Sequence, residues 1–575
     1  MTPADHMPVT DHPIAGPRQP RITRALLLLF FAGIVALAGT FSIPPIDRDE
    51  ARFIQATTQM LETGDYINIR FQDDERNKKP VGIYWLQAAS VSLFYDAEAR
   101  EVWAYRLPSF LAALFSAWLA YLIGCRLFSE ETAFLGTLLL IAAPSFSGEA
   151  TIAKTDATLL ATVLASQLAL AKLYLQGFRE GVRPGLLTVL LFWGALAIGI
   201  LIKGPITPMI SVLTVVGLCL LHFPGSPDGI SRILKWARMF RPVTGLIFLL
   251  VIVSPWMIAI GLETQGRFFA EAVGTDMLGK VGEVQESHAG PIGYYLIVVW
   301  IMFWPAALLL PAGVRYALGD LRHPGVIFCL AWLVPTWMVF EVASTKLPHY
   351  TLPVYPALAL LIAHAVCRLS AAEHGSRLPV SRLIGSLLYL VVAVLVAGLF
   401  IYAGNTYSAA GAGMLEYAFA GATLAGTLWC LVLLWRWKLK AALISTSLLG
   451  GVMAWMLYEG MLARLDAFHM SPRLSAVLED QGLHPLRDGA EPVALLGYNE
   501  PSAIFLIGTR SRISTPQTAA EWLAGGRGRV AIVESRQEEA FLRELGATPV
   551  RKAGQLSGYN YSNAIDVVLT LYISD

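Results

Sequence analysis

The chain contains repeated apolar runs of about 20 residues, the length that an α-helix needs to cross the roughly 30 Å hydrocarbon core of a bilayer. Hydrophobic residues make up 55% of the 575 residues and charged residues only 15%, which is too apolar for a soluble globular protein. The runs predict about thirteen transmembrane helices. These spans are 24–43, 104–125, 132–148, 157–176, 186–202, 205–222, 242–262, 293–313, 325–343, 349–368, 382–403, 414–435 and 440–461.

The Lys and Arg residues of the short connections predict the orientation of these spans. Arg18, Arg21 and Arg24 precede the first span, and every second connection after it carries cations. Cytoplasmic loops retain positive charge during insertion, so the N-terminus is expected inside. Thirteen spans then leave the tail outside. The first run is long enough to span, and no cleavage site follows it.

The layout predicts an all-α polytopic membrane protein with a small α/β soluble domain at its C-terminus. Residues 1–23 form a cytoplasmic segment, and residues 24–461 form the membrane domain with outer loops 44–103 and 263–292. "EARFIQATTQMLETGD" and "RFFAEAVGTDMLGKV" predict one helix in each loop, lying along the membrane surface. In 462–575, "PVALLGYN", "RVAIVES" and "IDVVLTLYI" predict strands and "RQEEAFLRELG" a helix.

Several classes of function are disfavoured by the composition and the motifs. A net charge of +1 gives no reason to expect a nucleic-acid partner. The five cysteines lie in or at the ends of spans, so no disulfide framework is implied. No G-x-x-x-x-G-K-[ST] loop occurs, which disfavours ATP-driven transport. The histidines show no recognised ligand spacing, so no metal site is predicted, although a bound divalent metal stays compatible with the residues.

Charged and tyrosine side chains outside the cytoplasmic loops fall on one side of the predicted membrane. Each has an ordinary explanation: carboxylates cap helices, lysines and arginines snorkel, and tyrosines form an interfacial belt. Their common side favours one outward-facing site, because charges at the edge of hydrocarbon tend to be paired or functional. The candidates are Asp49, Glu50, Arg52, Lys79, Tyr84, Asp156, Lys203, Lys346 and Tyr350.

A site that meets both hydrocarbon and water suits a lipid-linked phosphate. Arg and Lys bind phosphate through charge-assisted hydrogen bonds. In glycosyl transfer from a polyprenyl-phosphate sugar, cations stabilise the charge that develops on the leaving phosphate, without a nucleotide or a metal. A carboxylate beside the anomeric carbon can act as a base, orient the sugar or stabilise an oxocarbenium-like transition state.

The motifs together resemble a known family. Asp49-Glu50 after the first span, "KKPVGIYW", "KTDATLL", "LIKGP" and "STKLPHYTLPVYPALALL" are similar, over about residues 24–368, to integral-membrane glycosyltransferases that use polyprenyl-phosphate sugars. Within that group the chain resembles the 4-amino-4-deoxy-L-arabinose transferases that modify lipid A, which are related to protein O-mannosyltransferases. The resemblance implies a GT-C-type fold, a periplasmic active site and a soluble periplasmic C-terminal domain.

The resemblance also implies roles for individual residues. Asp49, Asp156 and Glu50 fall on catalytic positions; the positions that bind the lipid phosphate and sugar are Arg52, Lys79, Tyr84, Lys203, Lys346 and Tyr350. Two departures leave alternatives open. Many members read Glu-Lys-Pro where this chain has Lys78-Lys79-Pro80, with Glu75 as a candidate replacement, and Asp47 adds a second acid before Asp49.

The functional hypothesis is transfer of 4-amino-4-deoxy-L-arabinose from undecaprenyl phosphate to lipid A phosphates at the periplasmic face of the bacterial inner membrane. Resistance to polymyxin and other cationic peptides would follow from the reduced negative surface charge. A monomer that needs no cofactor is expected. The alternatives are a related transferase with another sugar or a protein acceptor and, in a different class, a lipid flippase or transporter.

Overall fold

The computed structural model describes residues 21–222, 229–272, 274, 290–371, 379–408 and 410–575. Most of the predicted cytoplasmic segment 1–23 and much of the predicted loop 263–292 lie outside the described residues. The first half of the chain is helical: α1 Ile22–Leu37, α2 Asp49–Thr63, α3 Gly82–Ser92, α4 Val102–Leu127, α5 Glu130–Ile141, α6 Pro144–Thr151, α7 Thr155–Lys172, α8 Leu186–Lys203, α9 Ile206–His222, α10 Gly229–Met239 and α11 Pro242–Glu263.

The prediction of a polytopic helical membrane protein is confirmed. Within the described residues, nine helices are long and apolar enough to span a bilayer, and two shorter apolar helices accompany them. Two predicted spans differ from simple helices. The run 132–148 is bent by 62° between α5 and α6, where Pro144 begins the second helix and lacks a backbone N–H donor. The run 293–313 is divided into shorter helices, and Pro305 and Pro311 are each the second residue of a new helix.

The later helices complete the membrane part. They are Tyr294–Met302, Trp304–Ala307, Leu310–Gly319, Pro324–Val342, Tyr355–Ala371, Pro379–Tyr407, Met414–Trp435 and Leu439–Trp455. A large cluster of buried apolar residues includes side chains of α4, α5, α7 and the helix Tyr355–Ala371.

Helix α2 corresponds to the helix predicted in the first outer loop. It ends at Gly64, whose φ of +71° is the left-handed conformation that glycine adopts most readily. That α2 lies along the membrane surface stays a prediction, but protein rather than lipid covers most of its residues. Phe53 joins an apolar cluster with residues of α3, α8 and α11, whereas Ile54 packs against Phe505 of the C-terminal domain.

The C-terminal domain is the predicted α/β unit. Its five strands are β3 Val493–Leu496, β4 Arg512–Ser514, β5 Val530–Glu534, β6 Val550–Asn560 and β7 Ile565–Ser574. They lie in the order β4-β3-β5-β7-β6. Strands β4, β3 and β5 run parallel to one another, whereas β7 is antiparallel to both of its neighbours, β5 and β6. The predicted strands correspond to β3, β5 and β7; the strands β4 and β6 were not predicted. The helices are Met470–Asp480, Pro501–Ile507, Pro516–Ala524 and Ser535–Leu545. A separate hairpin, β1 Arg70–Phe71 and β2 Asp74–Glu75, lies in the first outer loop.

Candidate active site

Five ionisable side chains meet where α6, α7 and α8 end or begin. Lys203 Nζ lies 2.6 Å from a carboxylate oxygen of Asp156, and Lys154 Nζ lies 3.0 Å from Glu149. The His349 ring lies between the two acids, 3.6 Å from Glu149 and 3.7 Å from Asp156. We call these five residues the central cluster. Two carboxylates, two ammonium groups and an imidazole therefore share one small, largely buried volume.

Helix geometry explains why Asp156 and Lys203 meet. Asp156 is in the first turn of α7 and Lys203 in the last turn of α8. Acids at a helix N-terminus and cations at a C-terminus both interact favourably with the helix dipole. Gly204 ends α8 with a φ of +63°, which suits glycine. The "LIKGP" motif is thus a helix end that places a lysine at the cluster.

Two further residues approach from a segment of 3₁₀-helix, Pro348–Val354. His349 belongs to the central cluster, and Tyr350 lies beside it with its ring centre 5.4 Å from Lys203 Nζ. This distance allows a cation–π contact. The structure therefore brings three of the predicted site residues together: Asp156, Lys203 and Tyr350.

Asp49 is the exposed first residue of α2. Burial alone lowers the pKa of the Lys154 ammonium, but the nearby carboxylates of Glu149, Asp156 and Asp49 hold that pKa above its ordinary value. Among the described residues, the Asp49 side chain makes no hydrogen bond or ion pair. An accessible carboxylate thus faces the buried charges from the side of the first outer loop.

The residue before Asp49 has an unusual backbone. Arg48 has a φ of +69°, a conformation that costs a residue with a side chain of order 1 kcal/mol or more. The C-terminal domain stabilises this conformation, because the Arg48 guanidinium donates to the Ser562 carbonyl and the Asp47 N–H donates to the Tyr561 hydroxyl at 2.6 Å. The C-terminal domain therefore helps to fix the backbone conformation directly before the first residue of α2.

Glu50 has a different environment from Asp49. Its side chain is buried against Arg106 with 2.8 Å contacts from Nε and Nη2, and it also accepts from the N–H groups of Ile46 and Ala153. Each oxygen of the Glu50 carboxylate thus accepts two hydrogen bonds from the protein. This geometry supports a role in holding the site together, whereas the resemblance implied catalysis.

The remaining predicted residues lie around the central cluster. Lys346 is buried and donates to the carbonyls of Gly290 and Ala343. Tyr84 is buried against Phe53, with a ring-centre distance of 5.4 Å. Lys79 and Arg52 are half-buried, at the turn before α3 and in the first turn of α2 respectively.

Sequence reasoning missed Arg106 and Glu149. Arg106 lies within the predicted span 104–125 and Glu149 directly follows the span 132–148; a charged residue at the edge of hydrocarbon is costly and is therefore a signal in itself. Glu75, considered as a replacement for a missing carboxylate, instead binds Arg267 at 2.7 Å. Within the described ranges, no group of three or more His, Cys, Asp or Glu side chains is arranged to hold a metal ion.

Part of the chain that carries this site is similar to a family of glycosyltransferases. Residues 78–258 match the family described as dolichyl-phosphate-mannose-protein mannosyltransferase. That segment carries Lys79, Asp156 and Lys203. The resemblance to polyprenyl-phosphate-sugar enzymes that the motifs indicated is thereby confirmed.

More specific similarity is to undecaprenyl phosphate-α-4-amino-4-deoxy-L-arabinose arabinosyl transferases. The enzyme of Pseudomonas aeruginosa strain UCBPP-PA14 is 27% identical over 360 residues, which cover 60% of each chain. That of Aeromonas salmonicida is 26% identical over 433 residues, 73% of this chain and 75% of the relative. The match thus spans about 60% of the length of the Pseudomonas relative. These proteins are homologues of this chain.

The fold is that of ArnT. The crystal structure of ArnT from Cupriavidus metallidurans bound to undecaprenyl phosphate aligns with a TM-score of 0.72 at 18% identity, covering 95% of this chain and 97% of that one. The apo structure gives a TM-score of 0.71. The predicted fold class, a helical membrane glycosyltransferase fold with a small C-terminal sheet domain, is confirmed.

Proposed function

We propose that this protein transfers 4-amino-4-deoxy-L-arabinose from undecaprenyl phosphate to phosphate groups of lipid A. The observation that carries the proposal is an accessible Asp49 carboxylate whose charge acts on Lys154 of the central cluster, in a chain with the ArnT fold. The names of the relatives supply the sugar and the donor lipid. Lipid A as the acceptor, and resistance to polymyxin and other cationic peptides as the consequence, follow from the same resemblance.

In the proposed reaction, an ionised phosphate oxygen of lipid A attacks the anomeric carbon of the sugar. The bond from that carbon to the undecaprenyl phosphate oxygen breaks, and the leaving phosphate keeps the electron pair. The attacking phosphate is already deprotonated near neutral pH, so a strong general base is unnecessary. The protein must mainly stabilise the charges of the transition state.

Asp49 is the proposed catalytic carboxylate. It is exposed and its side chain makes no hydrogen bond or ion pair among the described residues, so it can approach the sugar. There it would stabilise the positive charge that develops at the anomeric carbon. Asp47 is less suited to this role, because its carboxylate accepts from the N–H of Ser502 at 2.9 Å in the C-terminal domain.

The cations of the site are proposed to bind the donor phosphate. Arg52, Lys79, Lys203 and Lys346 are the candidates, and charge-assisted contacts from such side chains oppose the charge on the leaving group. Asp156 holds Lys203 at 2.6 Å and is therefore proposed as a positioning residue. The proposal requires no cofactor; transfer by purified protein in a chelating buffer tests the absence of a metal requirement.

We further propose that the protein acts as a monomer in the bacterial inner membrane, with the site facing the periplasm. The alternation of cations between the predicted spans supports this orientation. A phosphate acceptor carried by lipid A would be available at that face. Accessibility labelling of a cysteine introduced at Asp73, on the β1–β2 hairpin of the first outer loop, tests the orientation.

The test of function is mass spectrometry of lipid A from a host that makes the lipid-linked aminoarabinose but lacks its own transferase. Wild-type protein, Asp49→Asn and the matched control Asp73→Asn are expressed at equal levels, since Asp73 is an exposed acid of the same loop. We expect aminoarabinose on lipid A with the wild type and the control, and its loss with Asp49→Asn.

Absence of the modification with well-folded wild-type protein would reject lipid A as the acceptor. The matched family of protein mannosyltransferases makes a protein acceptor the next candidate. Equal modification by Asp49→Asn and wild type would reject the catalytic role of Asp49 and keep the transferase assignment.

A further inference from the structure

Four arginines lie at one end of the sheet in the C-terminal domain. Arg512 begins β4, and Arg529 directly precedes β5. Both strands run parallel to β3, which lies between them, so their first residues are at the same end of the sheet. Arg510 and Arg527 are in the adjoining loops. These four residues are the arginine cluster, and all except the half-buried Arg529 are exposed.

A buried tryptophan orients two members of the cluster. The guanidinium carbons of Arg512 and Arg529 lie 4.3 and 4.0 Å from the centre of the Trp522 ring. Arg529 also donates to the Trp522 carbonyl at 3.1 Å. Stacking on an aromatic ring fixes the plane of a guanidinium group and leaves its edge available to donate. Two cationic groups are thus held ready before any ligand arrives.

The arginine cluster is not neutralised by the domain itself. Within the described residues, none of its members forms an ion pair with a carboxylate. Other cations of the domain do so: Arg487 pairs with Glu479, Arg536 with Glu534 and Lys552 with Glu538. Glu521, next to Trp522, accepts instead from Gln517 at 3.0 Å. The excess positive charge is therefore local.

The first outer loop fixes the position of the cluster relative to the site. Thr509, the neighbour of Arg510, donates to Glu62 at 2.7 Å and accepts from Gln55 at 2.8 Å, both on α2. Gln72 donates to the Thr509 and Ser511 carbonyls. Asp49 is at the start of α2 and Glu62 near its end. At 1.5 Å per residue, Thr509 beside the cluster therefore contacts α2 at about 9 Å (Gln55) and about 20 Å (Glu62) from Asp49 along the helix.

We infer that the arginine cluster is a docking surface for the phosphate-bearing headgroup of the lipid A acceptor, an inference that rests on the proposed function. Arginine binds phosphate oxygens through paired hydrogen bonds, and several arginines favour a headgroup with more than one phosphate. Charge complementarity selects such a headgroup over a neutral one. Docking there raises the local concentration of acceptor beside α2 without placing any arginine at the reacting atoms.

The test uses the full-length protein in detergent with lipid A that carries its phosphates, dephosphorylated lipid A, or phosphatidylglycerol as the probe. The double variant Arg512→Gln/Arg527→Gln removes two exposed charges and leaves Arg529 on Trp522. The matched control Arg543→Gln/Arg551→Gln removes two exposed charges elsewhere in the domain. Binding is measured without donor, and transfer is measured separately.

We expect the cluster variant to bind phosphorylated lipid A about tenfold more weakly than the wild type, consistent with the loss of charge-assisted contacts. The KM for lipid A should rise by a similar factor at unchanged kcat and unchanged KM for the donor. The control variant should match the wild type. Dephosphorylated lipid A should bind the wild type and the cluster variant with equal affinity.

Equal affinities of wild type and cluster variant for phosphorylated lipid A would overturn the inference. An equal loss of affinity for phosphatidylglycerol would also overturn it, since the surface would then be a general contact for anionic lipid. If the wild type binds phosphorylated lipid A through the cluster but transfers no sugar, the docking surface stands and the proposed function fails.

Discussion

Arg106 and Glu50 form a two-point ion pair in which Nε and Nη2 each lie 2.8 Å from a carboxylate oxygen. The two side chains are 0% and 1% exposed. Arg106 also donates to the carbonyls of Thr40, Ile43 and Pro44, and Glu50 accepts from the Ala153 N–H. This buried pair thus joins three parts of the chain: the segment that follows α1, the start of α2, and Ala153, the residue before Lys154.

Glu50→Gln is expected to lower the free energy of unfolding by about 3–5 kcal/mol, because it leaves the buried Arg106 charge unpaired. Thermal unfolding of the purified protein in detergent measures the loss. The double variant Glu50→Gln/Arg106→Met should lose less than the sum of the two single variants. A Glu50→Gln protein with wild-type stability but no transfer activity would instead assign Glu50 a catalytic role.

Lys203→Gln should lower kcat about 100-fold, the usual effect of removing one charged group that stabilises a transition state, and Asp156→Asn should lower kcat by a similar factor because it releases Lys203. The two side chains are in direct contact. We therefore expect the kcat of the double variant to be only slightly lower than that of the less active single variant. Transfer kinetics with equal amounts of folded protein measure the effect. Multiplication of the two losses in the double variant would show that the residues act independently.

The junction of Asp47 with the C-terminal domain should weaken as pH rises. Burial, with the nearby Glu500 carboxylate, raises the pKa of Asp47 from 3.8 to about 7, against the lowering effects of the Ser502 hydrogen bond and Arg52. The folded junction therefore keeps this proton up to about pH 7, whereas the unfolded chain loses it near pH 4. The contribution of Asp47 therefore makes the junction progressively less stable as the pH rises from about 4 to about 7, with the full loss reached by about pH 8.

Limited proteolysis of the C-terminal domain across that pH range measures the junction. Asp47→Asn keeps an oxygen that accepts from Ser502 and removes the ionisation. The variant should show a smaller dependence on pH and greater resistance at pH 8. A profile identical to that of the wild type would contradict the assignment to Asp47.

Phe505 should contribute strongly to docking of the C-terminal domain. It is fully buried between the two parts of the chain, with its ring edge-on to Tyr105 at 5.5 Å. Phe505→Ala should lower the free energy of unfolding by about 3–5 kcal/mol through the cavity it leaves. Hydrogen exchange of α2 should rise, because α2 loses its cover. Phe505→Leu should recover most of the protection, and unchanged exchange in the alanine variant would count against this role.

Local signals in the sequence predicted those parts of the fold that depend on near neighbours. Gly64 ends α2, and the Lys203-Gly204-Pro205 sequence ends α8, as glycine and proline require. The apolar runs located the spans because bilayer thickness sets their length. The strand β4 has only three residues, too few for alternation to be visible.

Contacts between distant residues could not be predicted from such signals. The amphipathic pattern of α2 is the same whether lipid or protein covers it, and one of the residues that pack against it, Phe505, comes about 450 residues later. Asp156, Lys203 and Tyr350 were predicted on one side of the membrane, but only packing brings His349 within 4 Å of both acids. Arg106 lacks any motif, and its importance appears only when its partners are known.

The hydrogen bonds from Asp47 to Tyr561 and from Arg48 to Ser562 have a consequence for biogenesis, because each joins residues 514 positions apart. During translation the membrane helices are complete long before Tyr561 emerges from the ribosome. Until then the backbone before Asp49 lacks these two hydrogen bonds. A newly made molecule therefore acquires the ordered backbone before Asp49 only after its last strands have been synthesised and folded, which delays completion of the site relative to membrane insertion.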